Sequence, residues 1–477
     1  MTILLLFSFL LSGLSAPAST CDCPENLTRL SLLLRENYAG YTDKVNPKTE
    51  AAYNRHLAQF QTLATRQKTP AACEQVLKNY LAFFGDQHLK LYAAAPDTAA
   101  TVEPEVFPLT PEAIRAQLAQ PSRRRHPLEG IWEREGYTVA VIRDPRSPDL
   151  TFAGVVLAST NPAWKPGLVK MKLQPASTGG FSVDYRMGDF SRENTEALFH
   201  RNVLDIRWIG QFWKREPQAD QPLQPAIYFS QYPYEPIEIR WFDEQTVVLK
   251  FQSFNPSYKP LIDSTLAAHE NRLKQTPNWV LDVRYNGGGG TGTYQSLLPY
   301  LYTSPIVRTG SRYWTSPTNI AKYRELGISF FDEVVAFGEK NPNAWFESPG
   351  DTVRLAEVLP NPRRVAILAS RRTGSAAEIL LLHARQSRKV TLFGENTGGV
   401  LDYGDGVEHT LPYAPFTVVI PVRRSNYLDY THYDGIGITP DVRIPSGAWD
   451  WYGFVQDYWK QQDRKSVTEQ KPAAKTR

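Results

Sequence analysis

Arg371-Arg372-Thr373-Gly374-Ser375-Ala376-Ala377-Glu378-Ile379-Leu380 stands between two apolar runs. Val365-Ala366-Ile367-Leu368 before it has the pattern of a short buried strand, and Ile379-Leu380-Leu381-Leu382 opens an apolar helix. A serine between a buried strand and a helix N-terminus is where a hydrolase holds its nucleophile. Backbone N–H groups point outward there, and the helix dipole favours developing negative charge. The competing reading makes Ser375 only the N-cap of that helix, in a capping box with Glu378.

A second stretch upstream shifts the balance. Val280-Leu281-Asp282-Val283-Arg284-Tyr285-Asn286-Gly287-Gly288-Gly289-Gly290 is again an apolar strand running into a loop, here of consecutive glycines. Such a loop exposes its backbone N–H groups and admits a close substrate. No Lys-Ser or Lys-Thr follows the glycines, which argues against a phosphate loop. A flexible linker would not be joined to a strand carrying Asp282 and Arg284.

In this order the two stretches resemble the C-terminal-processing peptidases and the core of tricorn protease, a serine peptidase family. Flanking segments extend the resemblance. Thr246-Val247-Val248-Leu249-Lys250-Phe251-Gln252-Ser253-Phe254 is similar to the strand that begins the family's core. Leu392-Phe393-Gly394-Glu395-Asn396-Thr397-Gly398-Gly399 matches its Gly-Glu-x-Thr-x-Gly segment, and Asp434-Gly435-Ile436-Gly437-Ile438-Thr439-Pro440-Asp441 its closing motif. The resemblance implies a crotonase- or Clp-protease-like core over residues 236–447, with Ser375 as nucleophile.

The family also implies where a base is found. In the processing branch it is a lysine, but the aligned position here is Val400, and Lys389 has no counterpart in the motif. The tricorn branch uses a histidine from the N-terminal part of the protease, oriented by a carboxylate near the closing motif. Among eight histidines, His88 in Gly85-Asp86-Gln87-His88 best resembles that segment. The competing role for a lone histidine after a helix is in capping or the core. Asp434 falls at the orienting position, or else shapes a turn with Gly435. His432 is a local rival that the motif does not use. Gln87 replaces the serine that completes the tricorn tetrad. The oxyanion hole falls to the Ala376 N–H with that of Gly287 or Gly288; Asp282, Arg284, Thr373 and Glu378 are supporting residues.

Composition fits a globular, exported chain. It has 477 residues, 42% hydrophobic and 21% charged, with a net charge of +4. Its basic residues occur in pairs and one triplet, Arg123-Arg124-Arg125, so no nucleic-acid partner is expected. Residues 1–18 read as a signal peptide, with a retained membrane anchor as the competing reading: Ile3 to Leu14 is apolar but too short to span a membrane, and Ala16-Pro17-Ala18 suits cleavage. The expected location is secreted, periplasmic or cell-envelope, with no stable membrane insertion after cleavage. Of three cysteines, Cys73 is expected to pair with Cys21 or Cys23. No Cys/His cluster has metal-site spacing, so no metal or cofactor is expected. Asn26-Leu27-Thr28 is a glycosylation sequon, relevant only to a eukaryotic chain.

The fold class expected is α+β. Residues 19–127 read as an N-terminal helical region and linker. Thr69-Pro70 caps a helix that Gly85 ends, and Asp86 to Leu91 alternates like a strand. Residues 128–235 read as a β-rich domain, a small barrel or sandwich. It lacks the Gly-Leu-Gly-Phe-like loop of the PDZ domain that processing peptidases usually hold here. Residues 448–477 read as a final helix with a disordered tail from Asp463. The function expected is peptide-bond hydrolysis by a Ser-His-Asp mechanism on short or unfolded peptides. The alternatives are an inactive peptide- or lipid-binding module of the same fold, or an esterase or amidase.

Overall fold

A computed structural model describes residues 21–93, 104–120, 125–134, 136–147, 149–176, 180–188, 190–200, 203–206, 211–214, 235–413, 416–445, 448 and 450–469. Residues 1–18, expected to be a signal peptide, lie outside these residues. The chain is α+β and divides into two compact units, each discontinuous in sequence.

The larger unit comprises Thr98–Ser311, Pro349–Asp402 and Ser425–Arg477. Its central sheet has six strands in the order Ile237–Trp241, Thr246–Phe251, Asn278–Asp282, Arg364–Ala369, Val390–Gly394 and Val442–Arg443. The first pair is antiparallel and the rest are parallel. Both faces are covered, which is why these strands read as continuous apolar runs. Leu249, Leu281, Ile367 and Leu392 pack on one side with Ile262, Leu266, Ala377, Leu380 and Leu381. Val248, Val280, Ala366 and Phe393 pack on the other with Trp451, Tyr452, Val455 and Trp459. Those last four residues belong to the helix Trp451–Glu469. This helix continues past Asp463, where a disordered tail was expected: Arg364 Nη1 donates to Asp463 Oδ1 at 2.9 Å and ties that turn to the amino end of an interior strand.

Within the same unit, eight antiparallel strands run in sequence from Gly130–Arg134 to Gln211–Lys214 and close into a barrel where Glu133 faces Lys214. Trp132, Phe152, Met171, Leu173, Phe181 and Tyr185 fill it. Closure leaves no strand edge exposed.

The smaller unit comprises Met1–Asp97, Arg312–Ser348 and Tyr403–Arg424. Its helices include Cys23–Asn37, Glu50–Ala64 and Pro70–Leu81, and Cys23 is bonded to Cys73. Thr69 caps the third helix through the Ala72 N–H, and Gly85 follows in the left-handed region with φ 58°. The Asn26 amide is buried and bonded both ways to the Tyr413 backbone, so this sequon is closed to a glycan. Lys90–Ala93 pairs antiparallel with Phe416–Ser425, so Leu91 faces Val418. This non-local pairing takes two segments of the expected contiguous core into the N-terminal unit. Local periodicity carries no record of it. Among the described residues, no helix is long and apolar enough to cross a membrane.

Candidate active site

Two neighbouring parallel strands deliver the candidate residues. Asp282 lies opposite Leu368, so Asn278–Asp282 and Arg364–Ala369 end level and their loops emerge side by side. The carboxyl ends of parallel strands are where such sheets place ligands. The first loop carries Gly287 and Gly288; the second carries Ser375.

Ser375 has φ 52° and ψ −122°, one of few non-glycine residues with positive φ. An ordinary N-cap is in the extended region. A cap alone therefore does not explain this backbone, which costs about 1–3 kcal/mol and makes a sharp strand-to-helix turn at Ser375. The capping box expected between Ser375 and Glu378 is present as well, with the Glu378 carboxylate accepting the Ser375 N–H, and Ser375 is half-buried. Gly288, with φ 107°, abuts the turn: a Cβ placed there would lie 2.7 Å from Ser375 Cβ and 2.9 Å from Ala376 N.

The two loops are bonded together. Gly374 N donates to Asn286 O at 3.0 Å and Thr373 Oγ1 to Val283 O at 2.8 Å, while Ser370 Oγ donates to Arg284 O. The Gly288 N–H is taken by Asn286 Oδ1 at 3.0 Å. Among the described residues, the N–H groups of Ala376 and Gly287 have no such acceptor.

Asp282 and Arg284 anchor the glycine loop. Arg284 Nε donates to Asp282 Oδ1 at 2.9 Å and Nη2 to Oδ2 at 2.7 Å. Tyr452, from the last helix, donates its hydroxyl to the same carboxylate and accepts Arg284 Nη2 at 3.0 Å. Burial alone would raise the Asp282 pKa, but the Arg284 charge and these bonds bring it below the usual carboxylate value. Tyr452 lies 168 residues from Arg284, and no sequence signal marks it.

Glu378 is fully buried and collects four donors: Ser375 N at 2.9 Å, Gly399 N at 2.9 Å, Val400 N at 2.9 Å and the Thr397 hydroxyl. Burial raises its pKa and these donors oppose the rise. Val400, which stands where the processing branch has its lysine, thus contributes only a backbone bond here. Lys389 sits before the strand Val390–Gly394 and its backbone pairs with Val365, at the amino end of the sheet. Ser375 follows the carboxyl end of the neighbouring strand, roughly 15 Å along at about 3.3 Å per residue. Lys389 Nζ donates instead to Leu359 O at 2.7 Å.

Asp434 is buried, and its Oδ1 accepts the N–H groups of Leu401 and Asp402, each at 3.0 Å. His88 belongs to the smaller unit. Asp86 accepts the His88 N–H at 2.8 Å and the Tyr38 hydroxyl at 2.9 Å, shaping the turn after Gly85. Burial, with the charges of Arg423 and Lys90, lowers the His88 pKa to about 4. The imidazole is therefore neutral at pH 7. His383, on the helix after Ser375, is buried with Nδ1 3.2 Å from the Tyr294 hydroxyl. Groups that could hold a metal are absent among the described residues.

Residues 245–444 match the model of peptidase family S41. No curated protein matches the chain. Among solved structures, a mutant of CPAF is similar at 12% identity and TM-score 0.50, covering 95% of this chain and 98% of that one. The photosystem II D1 C-terminal processing protease has 11% identity and TM-score 0.40, covering 89% and 94%. The tricorn protease has 12% identity and TM-score 0.41, covering 93% of this chain and 37% of its own. The CPAF likeness concerns the fold. The family's core motifs meet at the ends of two adjacent strands within residues 245–444, the stretch that matches family S41, and the chain is a serine-type peptidase.

Proposed function

We propose that this peptidase is exported and cleaves peptide bonds by a Ser-His-Asp mechanism. Ser375 Oγ attacks the scissile carbonyl. His88 accepts its proton and returns it to the leaving amine. Asp434 orients His88 and stabilises the imidazolium. The Ala376 and Gly287 N–H groups receive the oxyanion; Gly287 is preferred because Gly288 is already bonded to Asn286. His88 is assigned through its Gly-Asp-Gln-His segment, and its neutral state at pH 7 is the form a base needs. Substrates are short or unfolded peptides, laid beside the active-site loops as an added strand. The Cys23–Cys73 bond fits an oxidising compartment.

The observation that carries this reading is the positive-φ turn at Ser375 set against Gly288. A fluorophosphonate probe tests it. Wild type should be labelled, and Ser375→Ala and His88→Ala should not be. Equal labelling of Ser375→Ala would remove the nucleophile, and full activity of a folded His88→Ala would remove the base.

A further inference from the structure

Asp402 and Asp434 hold each other's backbones. Asp434 Oδ1 accepts the Leu401 and Asp402 N–H groups, each at 3.0 Å. In return, Asp402 Oδ1 accepts the Tyr433 N–H at 3.0 Å and its Oδ2 the Asp434 N–H at 3.1 Å. Asp402 is fully buried and Asp434 is 5% exposed. Each carboxylate thus fixes the backbone that carries the other, and together they meet four N–H groups on two chain segments.

His432 joins this clamp. Its Nδ1 pairs with Asp402 Oδ2, while half of its side chain is exposed. The clamp is also continuous with the nucleophile turn. Gly435 N donates to Gly399 O at 3.2 Å, and the Gly399 and Val400 N–H groups bind Glu378, which holds the Ser375 N–H.

We infer that His432 is a positioning residue for the peptidase site: by pairing with Asp402 it fixes the Asp402–Asp434 clamp and so the aim of the Asp434 carboxylate. The inference rests on Asp434 being the carboxylate that orients the base. His432 acts through Nδ1 as a donor, and its ring carries no proton of the reaction. An asparagine places an amide N–H near the Nδ1 position; alanine and glutamine do not.

The test is steady-state hydrolysis of a fluorogenic peptide, with melting temperatures to confirm folding. His432→Ala should lower kcat about tenfold with KM within about twofold, and Asp402→Asn should lose at least as much. His432→Asn should recover kcat to within about threefold of wild type. Should His432→Ala fail to fold, His432→Gln carries the same expectation of loss. Wild-type kcat in His432→Ala or His432→Gln overturns the inference. Equal loss in His432→Asn and His432→Ala also overturns it, because the ring itself is then required. Asp434→Ala and His88→Ala separate the two readings. If both stay fully active, the orienting role of Asp434 fails; if both are inactive while His432→Ala matches wild type, only the role of His432 fails.

Discussion

Replacing Gly288 by alanine should disable the enzyme with only a modest loss of stability. A Cβ there meets the Gly374 carbonyl oxygen at 2.7 Å, Ser375 Cβ at 2.7 Å and Ala376 N at 2.9 Å. None of these is the end of a flexible side chain, so the nucleophile turn must move as a piece. Ordinary contact begins near 3.4 Å, which requires a retreat of roughly 0.7 Å, and shifts of this size cost about 100-fold in rate. The φ of 107° adds strain of about 1–3 kcal/mol. At about 2.1 cal/mol/K per residue, a chain of 477 residues then loses roughly 1–3 °C of melting temperature. The assay is kcat on a fluorogenic peptide beside a calorimetric melt. Gly292→Ala is the control, since a Cβ there meets nothing within 4 Å. A folded Gly288→Ala with kcat within threefold of wild type would refute the close approach of glycine loop and nucleophile.

Lys389→Ala should leave peptide hydrolysis near wild type, because its ammonium serves the Leu359 carbonyl; abolished activity would restore a lysine base. Tyr452→Phe should destabilise the chain by about 1–3 kcal/mol, since it removes a donor from the buried Asp282 carboxylate. It should also lower kcat, read in the same assay; no change in either measure would show that the last helix does not hold the glycine loop. Stability should also fall between pH 6.5 and about 4. His88, His383 and His409 are each lowered to about 4, chiefly by burial. In that window the unfolded chain takes up protons that the folded chain refuses, so stability rises with pH and is fully present above 6.5. Each group contributes about 1.4 kcal/mol per unit of depression. Urea midpoints measured from pH 7 to 4 test it, and a flat profile would contradict the burial of all three.

The part of the fold carried by local signals was legible. The turn at Ser375 follows an apolar strand and precedes an apolar helix, and the structure has Arg364–Ala369 and Ala376–Ala384 on either side. Thr69-Pro70 and Gly85 marked the ends of a helix through capping chemistry alone. What stayed hidden depends on partners far away in sequence. Phe416–Ser425 reads like any strand, and nothing local says that it pairs with Lys90–Ala93. Barrel closure depends on Glu133 meeting Lys214, a pairing set by strand number and stagger. Within the site, Asn286 was visible in the glycine motif, but its bond to the Gly288 N–H, which separates the two glycines as oxyanion donors, is a matter of side-chain direction. His432 was passed over because the family motif omits it; its pairing partner, Asp402, lies 30 residues away with no motif of its own.

Three of the site's loops are each held by buried carboxylate. Asp282 holds the glycine loop through Arg284 and Tyr452, Glu378 holds the nucleophile turn, and Asp402 with Asp434 holds the closing loop. A carboxylate accepts several N–H bonds at once, so one acidic residue can fix several otherwise unpaired backbone donors. Removing it leaves those donors buried and unmet, at about 1–3 kcal/mol each. An amide substitution at Glu378 turns one acceptor oxygen into a donor facing other donors. Glu378→Gln should therefore disturb the Ser375 turn more than its small change in size implies. It should lower the rate of fluorophosphonate labelling at Ser375 as well as peptide turnover. Labelling at the wild-type rate in a folded Glu378→Gln would show that the turn keeps its shape without the carboxylate, and that the strain at Ser375 is held by the helix instead.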